Sequence, residues 1–505
     1  MAVWDELTAP FERVTGMSRG TSYEITRWLF LRGLGGVFLV AFLSLWVQLQ
    51  GLIGPEGILP AGEYLTAVRE QFGAVRYWLV PTVLWLGSGR LALNLVTGLG
   101  VLTSILLLLD LRPRVALACC WVLYLSLVAV GQDFLSFQWD SLLLETGVIA
   151  LFVAPGGRRG ERAAAPALGV FLLWFLLFRL LLESGYVKLS SGDSTWRDLT
   201  ALDFHFYTQP LPTWSAWYAN LLPHWMKAGG VILTYLCELG VPWLIFIGPK
   251  PRRAAFVATV LFQGMIGSTG NYTFFNLLTV VLALSLLDDK VWRRVLPSRL
   301  RDIITSARPA QTSPGPGAKV RTALGLALLV LAVGTLWATV FAARLPGVDT
   351  ALRLLSPLES VNSYGLFRVM TTTRQEIVIE GSDDGNSWRE YRFRYKPGEV
   401  TSRPGFVEPH QPRLDWQMWF AALATFRSTP WFQGLLVRLL QGSPDVLGLL
   451  AENPFPDHPP RYVRALLYDY HFSTWDERRA TGAWWVRDSA GSYSPVLGFQ
   501  DSPAP

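Results

Sequence analysis

The chain reads as a polytopic α-helical membrane bundle of about nine transmembrane helices, followed by a small extracytoplasmic α+β domain. Three observations predict this. Only 16% of the 505 residues are charged, where a soluble domain carries roughly 25%. Half of the chain is hydrophobic (51%), with 22 Trp and a mean hydropathy of +0.31. The deficit of charge is also uneven: residues 351–505 hold 16 basic and 17 acidic side chains, whereas the first 350 hold 28 and 21. The first part therefore meets lipid and the tail meets water. Disordered and collagen-like chains are excluded. The net charge of +6 lies in the apolar part, which marks membrane topology and not a nucleic-acid partner.

Residues 1–27 contain Asp5, Glu6, Glu12 and Glu24 and no small-residue cleavage site, so the expectation is a cytoplasmic segment leading into an uncleaved first span. Runs able to cross ~30 Å of hydrocarbon occur near 28–50, 91–109, 115–131, 134–153, 166–187, 229–247, 254–268, 273–288 and 322–343. They define a transmembrane helical domain over 28–343. The stretch 77–86, broken by Pro81, reads as re-entrant or interfacial. Basic residues are retained on the cytoplasmic side. Arg112 and Arg114, then Arg158, Arg159 and Arg162, then Lys250, Arg252 and Arg253, and finally the eight basic residues from Lys290 to Arg321 occupy alternate loops. With nine spans the N-terminus is inside, and segments 51–88 and 189–228 lie outside with the domain 344–505. The sequence PAQTSPGPG (309–317) has the composition of a flexible linker.

Beyond residue 344 the period shortens. Residues 366–370, 376–380, 390–395 and 464–472 alternate as strands do, with Asp384-Gly385 as a hairpin turn. Residues 416–426, 431–440 and 446–451 read as helices. All three cysteines, Cys119, Cys120 and Cys237, lie in the apolar runs, so the tail has neither a disulfide framework nor CxxC chemistry.

Ionisable groups within spans are expensive and are candidates for function. Asp140, Glu145, Arg179, Glu183 and Glu238 form such a set, in the outer half or near the midplane. Arg179 and Glu183, four apart, share a helix face, and the hairpin through 154–165 is expected to bring Asp140 opposite Arg179. Four carboxylates then face one arginine, either in a polar outward-facing cavity or as hydrogen-bonding glue between helices. The outer segment 189–228 adds Asp193, Trp196, Arg197, Asp198, Asp203, His205 and His224 among many aromatics, as a functional loop or an interfacial belt. His205 with Asp203 and Asp198 is either a solvated loop histidine or a base. No zinc signature accompanies it, so no metal and no cofactor are expected. Lys188 is either a snorkelling helix-end lysine or a base. In the tail, His410, Asp415, Asp457, His458 and His471 occur without a nucleophile motif, so no catalytic site is identified. Trp416, Trp419, Phe420, Trp431 and Phe432 form a core or, where exposed, a binding surface.

Seven stretches together resemble the lipase maturation factor family: RWLFLRGLGGVFLVAFLSLWVQLQGLIGPEGILPA (27–61), FQWDSLLLETG (137–147), ESGYVKLSSGDSTWRDLTALDFHFYTQPLP (183–212), TGNYTFFNLLT (269–279), VNSYGLFRVMTTTRQEIVIEGSDDG (361–385), HQPRLDWQMWFAAL (410–423) and ENPFPDHPPRYVRALLYDYHF (452–472). The resemblance implies a multi-pass membrane protein without enzymatic activity, whose partners are membrane lipid and secreted clients such as lipases. It implies the endoplasmic reticulum membrane in eukaryotes and the plasma membrane if the source is bacterial. The N-terminal part also resembles, distantly, the membrane module of vitamin K-dependent carboxylases, through Gly185 to Leu189 and a following Trp. That likeness implies an alternative: a membrane enzyme acting on a lipid or quinone-like molecule, with Lys188 or His205 as base.

Overall fold

The computed structural model describes residues 2–157, 164–299 and 316–498. Helices that are apolar on every side need lipid or protein all round, and five described helices are long and apolar enough to cross a membrane. They are Glu24–Trp46, Arg90–Leu108, Ala167–Ser190, His224–Ile247 and Gly317–Phe341. The remaining expected runs also form helices, but shorter or less apolar ones: Pro113–Val128, Gln138–Val153, Pro249–Thr269 and Phe275–Leu284. Five of the nine expected runs thus meet both conditions among the described residues. Arg158, Arg159, Arg162 and most of the 309–317 linker lie outside the described residues.

We number the principal helices α1 (Ala2–Thr15), α2 (Glu24–Trp46), α3 (Arg90–Leu108), α4 (Pro113–Val128), α5 (Gln138–Val153), α6 (Ala167–Ser190), α7 (His224–Tyr235), α8 (Pro249–Thr269), α9 (Phe275–Leu284) and α10 (Pro316–Phe341). The first 27 residues are not a plain tail. They form α1, whose Phe11 ring packs 5.0 Å from Phe171 of α6. A helix starts with unsatisfied N–H groups, and α2 has no side-chain cap of its own. Asp289, 265 residues after Glu24 in the chain, supplies one by accepting from the N–H groups of Glu24, Ile25 and Thr26 at 2.9, 2.9 and 3.2 Å. Close approach of α2 and α3 depends on Gly100, where a Cβ would enter the ring of Phe42. The stretch 77–86 breaks around Pro81 into Arg76–Leu79 and Val83–Leu86.

α7 is not uniform. After Tyr235 it loosens into a π-turn over Leu236–Gly240 and a 3₁₀ turn over Val241–Trp243, then resumes over Leu244–Ile247. Pro242 lacks the N–H a regular helix would use, and the π-turn ahead of it carries Glu238.

The C-terminal domain is an antiparallel sheet with helices. Its strands are β1 (Arg374–Ser382), β2 (Arg389–Tyr391), β3 (Tyr462–Phe472), β4 (Trp485–Ser492) and β5 (Leu497–Gly498), in the order β2-β1-β3-β4 with β5 against β3. β1 and β3 pair along nine residues, from Arg374↔Tyr470 to Ser382↔Tyr462, and Gly385 turns the β1–β2 hairpin with φ 75°. Two helices, α11 (Arg413–Ala422) and α12 (Pro430–Leu440), bury Trp416, Trp431 and Phe432, while Phe420 is exposed. Residues 366–370, expected as a strand, form turns. Tertiary hydrogen bonds hold them instead, since Met370 N–H donates to Asp193 and Phe367 C=O accepts from the Trp196 indole. β4 was not expected, because Asp488, Ser489, Gly491 and Ser492 dilute its strand pattern.

The two regions interlock. Gly51 lets the turn Leu49–Ile53 lie against Pro444–Leu447, where a Cβ would strike the Asp445 carbonyl. Arg374, buried on β1, donates to the carbonyls of Tyr207, Gln209 and Pro210, and so fastens the segment 189–228 to the sheet. Its charge and that of Lys396 are balanced on Glu376.

Candidate functional site

The five membrane acids and bases are all buried, and they form three separate pairings in place of the expected single cluster. Arg179 donates to Glu145 at 2.7 Å and to Thr335 of α10 at 2.7 Å. Glu145 also accepts from the N–H of Asn362 at 2.8 Å and the hydroxyl of Tyr364 at 2.7 Å, and Glu183 accepts from the N–H of Tyr364 at 2.8 Å. Asp140 does not face Arg179. It accepts two parallel bonds of 2.8 Å from Arg413, which reaches down from the first turn of α11, and one from Tyr124. Glu238 accepts from the Lys188 ammonium at 2.9 and 3.0 Å. For Asp140 and Glu183 the physical reason is supply: the Arg413 guanidinium and the Tyr364 N–H come from the C-terminal domain to acids that take no direct bond from a cation of the membrane helices.

The outer-segment residues divide in the same way. Asp193 caps the helix Ser194–Arg197 and receives Met370, while Trp196 is buried beneath residue 367. Arg197 and Asp198 are exposed. Asp203 pairs at 2.8 Å with Lys227 and with His224, not with His205. His205 is no solvated loop histidine: it sits in the helix Ala201–Thr208 with Nε2 3.0 Å from the Tyr272 hydroxyl and its ring against Phe367. Burial, aided by the nearby Lys188 charge, pushes its pKa down to about 4, so the ring is neutral at pH 7. Among the described residues no cluster of His, Cys, Asp or Glu is arranged to hold a metal ion.

Lys188, Glu238 and His205 border one cavity of about 490 Å³ between α6, α7, α8 and α9, roofed by Trp196 and Phe367. Its walls are mostly apolar, with Phe262, Leu181 and Ile266 among them. Gly185 allows the close passage of α6 past Glu238, because a Cβ there would lie 2.8 Å from the Glu238 Cβ.

Several participants carried no legible sign in the sequence. Arg413 lies in the conspicuous QPRLDW stretch, yet nothing local shows that its partner is 273 residues earlier. Glu408 accepts from the Tyr272 N–H and from Asn276 Nδ2, at 3.2 Å in the second case. Burial raises its carboxyl to about 7, against the lowering effect of those two donors.

With the fold and these pairings in place, comparison with known proteins is decisive. The profile of the lipase maturation factor transmembrane domain matches residues 25–294, and that of the lipase maturation factor C-terminal domain matches residues 360–495. The chain is 38% identical to lipase maturation factor 2 of Homo sapiens, over 95% of this chain and 83% of that protein. It is 36% identical to lipase maturation factor 1 of Bos taurus, over 96% and 91%. No solved structure matches. The chain is an integral membrane protein, and it belongs to the lipase maturation factor family. The enzyme alternative has no support among these relatives, and Lys188, one of its two candidate bases beside His205, is held by both oxygens of Glu238.

Two outcomes follow from the pairings. Arg179→Met leaves Glu145 and Glu183 buried without a counter-charge and is expected to destabilise the protein by roughly 3–5 kcal/mol. Adding Glu145→Gln and Glu183→Gln restores most of that loss, as read by thermal unfolding in detergent. For Glu408, the folded chain holds a proton up to about pH 7 that the unfolded chain releases near 4.5. Its contribution is complete below 4.5 and is lost as the pH rises through 7. Glu408→Gln therefore melts with the parent at pH 4.5 and above it at pH 8, by up to roughly 3 kcal/mol.

Proposed function

We propose that this chain is a membrane-embedded maturation factor that helps secreted proteins, lipases foremost, to reach their folded and assembled form by non-covalent binding. The observation that carries the reading is the match of both regions, membrane and C-terminal, to lipase maturation factors along nearly the whole chain. In this reading residues 1–27 are cytoplasmic, 28–343 form a bundle of nine spans, and 344–505 form an extracytoplasmic domain. The membrane is the plasma membrane in a bacterium and the endoplasmic reticulum in a eukaryote. The basic loops support that orientation. The short helices α4, α5 and α9 then cross locally thinned or protein-lined regions.

The C-terminal domain contains no cysteine, so thiol exchange with a client is outside its chemistry. What it offers is surface. Phe420 and Leu423, three apart at the end of α11, are 43% and 48% exposed, and residues 488–492 of β4 form an exposed edge of the sheet. Apolar side chains beside a strand edge suit a client whose own strands are unpaired. Asp140, Glu145, Arg179, Glu183, Lys188 and Glu238 are the glue that holds this surface in place, and Asp193, Trp196, Asp203 and His205 tie the outer segment beneath it.

The test compares active lipase secreted by cells with the gene, without it, and with Phe420→Asp/Leu423→Asp. Deletion is expected to lower secreted activity at least about five-fold, and the double variant to lower it at unchanged membrane abundance. Equal activity of every secreted hydrolase in all three backgrounds contradicts the reading.

A further inference from the structure

An aromatic strip crosses the junction of the two regions at the ends of α7 and α8. The short helix Trp214–Asn220 is fixed to the last turn of α8, because the hydroxyls of Thr213 and Ser215 both donate to the Ser268 carbonyl. It is equally close to the start of α7, where Lys227 donates to the Asn220 carbonyl at 3.3 Å. α7 opens the apolar helix His224–Ile247, which is long enough to cross a membrane. Trp225 in its first turn is 72% exposed, and Ile232, Leu236 and Trp243 further along are exposed as well. A spanning helix with that uncovered apolar side meets lipid, so the Trp214–Asn220 helix lies where the hydrocarbon ends. The head-group layer there is about 5–8 Å deep.

The C-terminal domain reaches this level with rings of its own. Phe406, Trp214, Tyr218 and Trp475 follow one another with centroids 5.8, 5.9 and 6.0 Å apart, the first and last coming from the C-terminal domain. The Trp217 indole pins that arrangement by donating to the Ser473 carbonyl at 2.9 Å. Tyr218, Trp475 and Phe406 remain 42%, 48% and 52% exposed. Rings with a polar edge and an apolar face are suited to the head-group layer and costly in open water. Cations accompany them. Arg403 lies over Trp214, Arg479 over Trp475, and Arg478 over Trp217 and Trp484. Among the described residues none of these three arginines has an acid within ion-pair distance. A guanidinium stacked on a ring keeps its N–H edge free for a second partner, and phosphate matches that edge.

We propose that the C-terminal domain is itself seated on the phospholipid head-group layer through this strip, with Trp475 and Phe406 among the head groups and Arg403 and Arg479 on lipid phosphates. Continuity with the lipid-facing side of α7 selects a bilayer as the occupant over a soluble partner. The seat holds on either face of the membrane, because it needs only the ends of α7 and α8. Phe420 and Leu423 take no part in it.

The test uses the full chain in nanodiscs of phosphatidylcholine and phosphatidylglycerol. With Cys119, Cys120 and Cys237 replaced by alanine, a nitrobenzoxadiazole label is attached at Trp475→Cys, Phe406→Cys or, as reference, Asn386→Cys. Asn386 is exposed in the β1–β2 hairpin, at the opposite end of β1 from Arg374, which is fastened to the outer segment. Lipids with a nitroxide on the head group are expected to quench the labels at 475 and 406 at least about three-fold more than the label at 386, and aqueous iodide is expected to act in the reverse order. If the chain does not fold without its cysteines, p-benzoylphenylalanine in place of Trp475 in the otherwise unchanged chain is expected to give phospholipid adducts on irradiation. Arg403→Glu/Arg479→Glu should lower the melting temperature further in these nanodiscs than in maltoside micelles, which hold no phosphate. A strip that serves a soluble client instead leaves the labels at 475 and 406 as open to iodide as the one at 386. That result, the absence of lipid adducts, or an equal loss of stability in both media would each overturn the proposal.

Discussion

Charges placed inside a membrane bundle must be answered, and for Asp140 the answer comes from outside the bundle. Asp140 is fully buried on α5, and its counter-ion, Arg413, is almost as deeply buried at the start of α11. Their two parallel 2.8 Å bonds have the fork-to-fork geometry that makes arginine–carboxylate contacts specific. Neither partner can leave alone without exposing the other to an apolar surround. The same logic recurs along the contact. The N–H groups of Asn362 and Tyr364 serve Glu145 and Glu183, the Arg413 N–H serves Gln48, and Asn271 receives the N–H groups of Val407 and Glu408. The C-terminal domain is consequently a structural part of the bundle's upper end.

That dependence makes sense of a factor that works by holding. A client-binding surface on a tethered, independently tumbling domain would lose much of its preorganisation to motion. Buried contacts fix the C-terminal domain relative to the helices of the bundle. The segment 189–228 is clamped between them through Arg374 above and the Lys188–Glu238 pair below. The cavity beside that pair is lined by Trp196 and Phe367, which also join the outer segment to residues 366–370.

Much of this was legible in the sequence. Apolar runs located α2 to α10 though not α1, because composition determines what can sit in lipid, and the resemblance in seven stretches identified the family. Span number was less legible: residues 115–131 and 273–288 are apolar enough, but the helices formed there are only 16 and 10 residues long. Pairings were not legible at all. Spacing places Arg179 and Glu183 on one face, but the partner of Asp140 lies 273 residues away, and no local rule reaches that far. His205 looked like a solvated loop residue because a polar segment between spans hides which of its faces the next domain will cover. Residues 366–370 alternate like a strand, yet Asp193 and Trp196 take up the main-chain groups at Met370 and Phe367 that a sheet would use.

The central claim is that a buried charge pair welds the C-terminal domain to the membrane bundle. A double-mutant cycle on Asp140 and Arg413, with Asp140→Leu, Arg413→Met and both, followed by unfolding in nanodiscs, measures the weld directly. The account predicts a coupling energy of about 3 kcal/mol or more, each single variant being less stable than the double one. Additive effects, with coupling near zero, would contradict it.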